Sequence, residues 1–366
     1  MRTLSRLAIA AGFVAVGATS AAAQASAVTP LKFSGVLYAD WQNGGTKAQR
    51  AMNKFDLTRA YLNVIMPAGD NVTVRVTTDI FQNTAPGTYY KGWTARIKYA
   101  FMDWAAWKGQ GQDPAALSLR FGMEQTPEID MMESFWQRGI TNTPIDYLSF
   151  VPSSDLGAAA MVTLPGKQGQ IYGGVFNGTG YGAPETDRFK DVNVRFSWTP
   201  LAASHDAGWF KGLQISPYYQ KGYNPSNFDA TGPGLQKDLW GLHVGVKDPR
   251  LTMVAEYDSR TNGNDTAADP TVKTTTGAVY SGFVIARPLA FINNTKSDPW
   301  SLVLRADQYK PDNSVSAYQR YLIGGIGYDI NSKVTVYADY QDVEGHDFTT
   351  PAPDIKAFFF HFVMGF

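Results

Sequence analysis

The chain has 366 residues, equal numbers of acidic and basic side chains at 32 each, and no cysteine. The balanced charge argues against a nucleic-acid-binding surface, and the missing cysteine excludes a disulfide framework, a thiol nucleophile and thiolate metal sites. Only 17% of residues are charged while 13% are aromatic, and there are 35 Gly; that mix suits many strands joined by turns better than a helical bundle.

Arg2 and Arg6 precede a short apolar stretch, Leu7 to Ala18, followed by Ala23-Gln24-Ala25 with small residues at the two positions a signal peptidase reads. The pattern predicts a secretory signal peptide over 1–25 and a single mature domain over 26–366, with Ala25-Ser26-Ala27 as a second cleavage option. Beyond it no run of about 18 apolar residues occurs, so membrane-spanning helices are not expected. Strands remain open, because a barrel strand is apolar only at every second position.

Period-two alternation recurs to the end of the chain. Val72, Val74 and Val76 alternate with Thr73, Arg75 and Thr77; Val192, Val194, Phe196 and Trp198 alternate with Asn193, Arg195 and Ser197. The pattern predicts strands near 31–41, 53–66, 71–81, 93–107, 116–124, 155–164, 169–177, 189–199, 210–221, 237–247, 250–260, 274–286, 299–310, 319–330, 332–343 and 355–366. Their number is even, as a closed antiparallel barrel with both ends on one side requires. Short turns such as 67–70, 165–168, 248–249 and Asn331 alternate with longer stretches at 42–52, 82–92, 222–236, 261–273 and 344–354. Trp93, Trp104, Trp107, Trp198, Trp209, Trp240 and Trp300 fall near strand ends, where a membrane barrel carries aromatic girdles. The expected fold is therefore an all-β, 16-stranded antiparallel transmembrane β-barrel.

The last strand places Phe358, Phe360, Phe362, Met364 and the terminal Phe366 on one face. This resembles the C-terminal membrane-insertion signature of bacterial outer-membrane porins, which the insertion machinery reads. The longest connection, from Gln125 to Ser154, carries Glu128, Asp130, Glu133, Arg138 and Asp146 among Met131, Met132, Phe135, Trp136 and Ile140. Bulky apolar residues gain little in a solvated loop but would pack against an inner wall. Its position after the fifth strand resembles the inward-folded third loop that narrows the pore of sixteen-stranded general porins.

Strand parity turns Arg59, Arg75, Arg96, Lys98 and Arg120 into the lumen, where charge tunes selectivity instead of destabilising a lipid face. The expected constriction sets Arg59, Arg75 and Arg96 against Glu128, Asp130 and Glu133. In the second half, Arg195, Glu256, Asp258, Arg305, Asp307 and Asp339 are expected to line the remaining wall. The run Leu119-Arg120-Phe121-Gly122-Met123-Glu124-Gln125-Thr126-Pro127, the following Met131-Met132-Glu133-Ser134, and Phe55 to Leu62 with its Arg59-Ala60-Tyr61 element resemble segments of the phosphate-selective porins O and P. That resemblance implies a sixteen-stranded, usually trimeric, anion-selective barrel; the acidic loop here departs from the family's lysine-rich pore.

The resulting expectation is an outer-membrane porin passing ions and small hydrophilic solutes, without cofactor or metal. Its partners are outer-membrane lipid and lipopolysaccharide, the insertion machinery and two further copies in a homotrimer. Alternatives are a selective anion channel, a sugar channel using Tyr89, Tyr90, Tyr218, Tyr219 and Tyr223, and a barrel enzyme. His205, His243, His346 and His361 pair with no evident nucleophile in the sequence, which disfavours the last.

Overall fold

The computed structural model describes residues 31–366 except 47–52, 84–91, 229–231, 233 and 349–353. The expected signal peptide, most of the first two expected outward loops with Tyr89 and Tyr90, and part of the loop before the last strand lie outside the described residues. Sixteen strands form: β1 (Lys32–Thr46), β2 (Asn53–Pro67), β3 (Val72–Asn83), β4 (Gly92–Lys108), β5 (Ala116–Gln125), β6 (Ser154–Thr163), β7 (Gly169–Phe176), β8 (Asp191–Trp198), β9 (Leu213–Asn224), β10 (Leu235–Asp248), β11 (Leu251–Thr266), β12 (Asp269–Ala286), β13 (Trp300–Lys310), β14 (Tyr318–Asn331), β15 (Val334–His346) and β16 (Ile355–Gly365). Each pairs antiparallel with its chain neighbour, and β16 pairs with β1 from Val36↔Gly365 to Thr46↔Ile355, closing the sheet. Closure leaves no backbone edge, which is the condition for a sheet to stand in lipid.

Burial runs opposite to that of a soluble protein. On β8, Asp191, Asn193, Arg195 and Ser197 are buried while Val192, Val194, Phe196 and Trp198 are exposed. An apolar face turned to the outside is stable only against hydrocarbon. Trp93 and Trp240 sit towards the long-loop end of this outward surface, and Trp104, Trp107, Trp198 and Trp300 towards the short-turn end. Trp209 lies in a 3₁₀ segment, Gly208–Gly212, stacked on Phe210.

The C-terminus seals the barrel. The Phe366 and Gly35 backbones exchange hydrogen bonds of 3.1 and 3.0 Å. A Cβ on Gly35 would stand 2.2 Å from the Phe366 ring, so glycine makes room for that ring. Phe358, Phe360 and Phe366 are exposed on the outward face, with Phe362 and Met364 in the same row, while Ala357 and His361 on the opposite face are buried.

The stretch 261–273 departs from expectation. Instead of a loop, β11 and β12 continue almost to a turn at 267–268, with Thr261 facing Thr276 and Asn262 facing Thr275. The Thr261 and Thr276 hydroxyls lie 3.0 Å apart. These residues are polar on both faces because a strand continuing past the membrane has water on both sides, and composition alone reads that as a loop.

Candidate functional site: the inward loop and the basic wall

The connection 126–153, here called loop 3, enters the barrel. It contains α1 (Pro127–Phe135) and α2 (Pro144–Tyr147), each with proline in the first turn, where the absent N–H costs nothing. The Thr126 hydroxyl donates to the Pro152 carbonyl at 2.7 Å and closes the loop's neck. Ile129, Met131, Met132, Ile145, Phe150 and Val151 pack with Tyr218, Leu239 and Val279 of the far wall. Phe135, Trp136 and Ile140 pack with Val254, Phe283, Val303, Tyr321, Ile323 and Tyr337. Near the loop's far end, Gly139 fits only as glycine, since a Cβ there would stand 2.2 Å from Val363 and 3.1 Å from Tyr38. Loop 3 therefore covers β8 to β15 and leaves the wall of β2 to β5 facing open space. The polar set on the covered wall is not a pore lining: Arg195, Glu256, Asp258, Arg305, Asp307 and Asp339 are all buried. Sequence parity placed them inward correctly but could not show that a loop lies over most of that wall.

The three acidic residues of the expected constriction separate. Glu128 is fully buried against the far wall, accepting a 3.1 Å hydrogen bond from Asn193. Burial raises its carboxyl to about 7, against the opposing pull of its hydrogen bonds and Arg195. Asp130 is partly exposed and pairs with Arg195 at 3.4 Å. Glu133 turns toward the open space, and Arg138 of the same loop pairs with it while also reaching Asp146 at 3.0 Å. The helical period accounts for Glu128 only: it falls opposite Asp130 and Glu133, which lie three residues apart on one side of α1 and differ in their partners.

The basic wall also sorts itself. Arg59 and Arg96 converge on fully buried Asp79, Arg96 at 3.1 Å. Arg96 is held between the Phe81 and Tyr181 rings at 4.0 and 4.1 Å, and donates to the Tyr181 hydroxyl at 2.8 Å. Arg120 pairs with Asp103 at 2.8 Å. Arg75 instead donates to Asn63 at 3.0 Å and Thr77 at 3.1 Å and lies over the Tyr99 ring. Lys98, only 2% exposed, reaches the Tyr61 hydroxyl at 3.3 Å and lies over the Tyr61 and Tyr99 rings. Among the described residues neither Arg75 nor Lys98 has a carboxylate within ion-pairing distance. A β-bulge causes the crowding at Lys98: the β3–β4 register shifts between Thr77 and Thr78, so Lys98 and Tyr99 both turn inward. The sequence carries a trace of it, because the apolar positions of β4 run 93, 95, 97 and then 100, 102, 104.

A cavity of about 580 Å³ lies between this wall and the loop, lined by Tyr61, Asn63, Arg75 and Lys98 on one side and Glu133 and Arg138 on the other. Counting all its lining residues gives five cations, Arg75, Lys98, Arg138, Lys247 and Arg287, against the carboxylates Glu133 and Asp248. A larger concavity of about 840 Å³ opens on the outward face beside Met253, Val284 and Leu304, where lipid belongs, and is no part of the lumen. Among the described residues the tyrosine track does not assemble. Tyr218 is buried beneath loop 3, bonded to Asp258, whereas Tyr219 and Tyr223 point outward.

No protein-family model and no curated protein matches the sequence. Solved structures do. An anion-selective porin from Comamonas acidovorans aligns with a TM-score of 0.61 at 9% identity, covering 92% of this chain and 99% of that one. The outer-membrane channel DcaP of Acinetobacter baumannii aligns at 0.60 with 12% identity, over 92% and 97%. In-vitro folded OmpT of Vibrio cholerae, in its trimer form, aligns at 0.58 with 10% identity, over 92% and 99%. The fold is that of outer-membrane porins and channels.

Proposed function

We propose that this chain is an outer-membrane porin: a water-filled channel through which ions and small hydrophilic solutes diffuse, with a preference for anions. The observation that carries the preference is the charge left unbalanced at the cavity. Arg75 lines it, and Lys98 lies buried in that lining against the Tyr61 and Tyr99 rings, neither within ion-pairing distance of a carboxylate among the described residues, while the loop opposite carries Glu133 already paired with its own Arg138. An uncompensated pair of cations at a narrow, partly dehydrated point raises local anion concentration and opposes cation passage. This replaces a transverse field between opposed arginines and acids with a net positive one.

The apolar outward belt, its aromatic flanks and the terminal strand support placement in the outer membrane among lipid and lipopolysaccharide, after delivery by the insertion machinery. The trimer form of the Vibrio cholerae relative supports a homotrimer. The histidines suit packing and seam-holding better than catalysis. His243 is fully buried and 4.7 Å from the Phe135 ring, and His361 lies 3.0 Å from Asp339 and 3.9 Å from Asp40 across the closing strands.

The test is a planar-bilayer reversal potential across a KCl gradient, comparing wild type with Lys98→Met/Arg75→Gln. The wild type should favour chloride, and the variant's anion-to-cation permeability ratio should fall at least about threefold, roughly 0.7 kcal/mol. An unchanged ratio would remove the assignment.

A further inference from the structure

Four cations from four far-wall strands donate to main-chain carbonyls of loop 3. Arg195 of β8 donates to Pro127, Lys247 of β10 to Ser134, Arg305 of β13 to Asn142 at 2.8 Å, and Arg260 of β11 to Ser149 at 2.8 Å. Three of them also lie over a ring of the same loop, within one to six residues of the carbonyl they hold. Lys247 is 6.0 Å from Phe135, Arg305 is 4.8 Å from Trp136 and Arg260 is 5.3 Å from Phe150. The contacts are spread from the loop's first helix to its return, so no long stretch of it is unheld.

We propose that these cations are positioning residues for the channel: each carbonyl-and-ring clamp fixes loop 3 against the far wall, and together they set the width of the passage at the near wall. The inference rests on the channel reading but not on its anion preference. The chemistry fits a clamp better than ordinary ion pairing. Among the described residues Lys247 and Arg260 have no carboxylate partner, so the loop carbonyl and ring are what balance them. A charge-assisted bond to a carbonyl is stronger than a neutral one, and a ring face adds attraction without a competing anion. Lys247 meets the last turn of α1, where unpaired carbonyls favour a cation. Arg305 and Arg195 are also tied to Asp307 and Asp130. Removing either would strand a carboxylate, so they are the poorer choice for a test.

The experiment is liposome swelling with neutral sugars of increasing size, which is insensitive to the charge removed, on wild type and Lys247→Met/Arg260→Met. The methionines keep apolar bulk but donate nothing. Barrel integrity is read from heat-modifiable migration. The double variant should pass a sugar near the wild-type cut-off at least about threefold faster, because the loop wanders from its docked position, and Lys247→Arg/Arg260→Lys should restore the wild-type cut-off. A folded double variant with the wild-type cut-off overturns the proposal, as does the failure of the donating pair to rescue. If the double variant does not fold, Arg260→Met alone should still raise single-channel flicker, and a trace as quiet as wild type counts against the clamp. A wild type that passes no sugar and no current would sink the channel reading instead.

Discussion

The near wall, β2 to β5, and the far wall, β8 to β15, are made from similar polar inward residues, yet one faces open space and the other is covered. On the near wall a guanidinium meets carboxylates, amides and rings of neighbouring strands: Arg59 and Arg96 share Asp79, and Arg75 holds Asn63. On the far wall the cations reach upward into loop 3, and the wall's own apolar residues, Val254, Phe283, Val303 and Ile323, give the loop a seat. The contrast teaches that in this barrel inward direction does not mean solvent contact. A lumen charge is a solute-facing group only where the loop leaves it bare.

The largest effect should come from removing the seat. Trp136 is nearly fully buried, lies 4.9 Å from the Phe283 ring and donates to the Thr141 carbonyl at 2.8 Å. Trp136→Ala should weaken loop docking by about 3–5 kcal/mol without opening the β-ladder. Limited proteolysis should then cut within 126–153 while the barrel core stays intact; a loop as resistant as wild type would erase the distinction between the walls. Next comes the seam both walls share. Gly35→Val should drive the Phe366 ring from its place and lower the yield of heat-resistant barrel, since a Cβ there would stand 2.2 Å from the ring and leave it no room. Gly35→Ala should do the same more weakly.

A smaller effect sharpens the near wall. Asp79→Asn leaves Arg59 and Arg96 without their shared carboxylate, so the anion-to-cation permeability ratio should rise about twofold, opposite in sign to neutralising Arg75 and Lys98. A fall in the ratio would mean that the paired guanidinium groups do not reach the solute path. The smallest belongs to the far wall. Glu128 in loop 3 has its carboxyl raised from 4.5 to about 7 by burial, so the docked loop holds a proton that a solvated loop gives up near 4.5. Docking should weaken as pH rises from about 4.5 to about 7 and change little above that. The rate of loop proteolysis, normalised to an unfolded substrate at each pH, should show this trend, and Glu128→Gln should abolish it.

Sixteen strands were legible because a barrel wall repeats one rule, apolar out and polar in, and local alternation records it residue by residue. The last strand's Phe358, Phe360, Phe362, Met364 and Phe366 all fall on the outward row. Loop 3 was legible as an inward element from its apolar content. Less legible were the ends of β11 and β12, where both faces are wet and alternation between apolar and polar vanishes. Also hidden were the partners of Lys98, since a bulge changes which residues turn inward together.

By itself, then, the sequence determined the closed antiparallel sheet and the place of the long loop, because these depend on contacts a few residues apart or on a period of two. Only the tertiary structure decided which wall the loop covers, that Asp130 meets Arg195 while Glu133 meets Arg138 at the cavity, and that Arg75 and Lys98 lack the carboxylates that Arg59, Arg96 and Arg120 possess. Those outcomes depend on side chains far apart in the chain, brought together only when the barrel closes, and no local pattern encodes such distances.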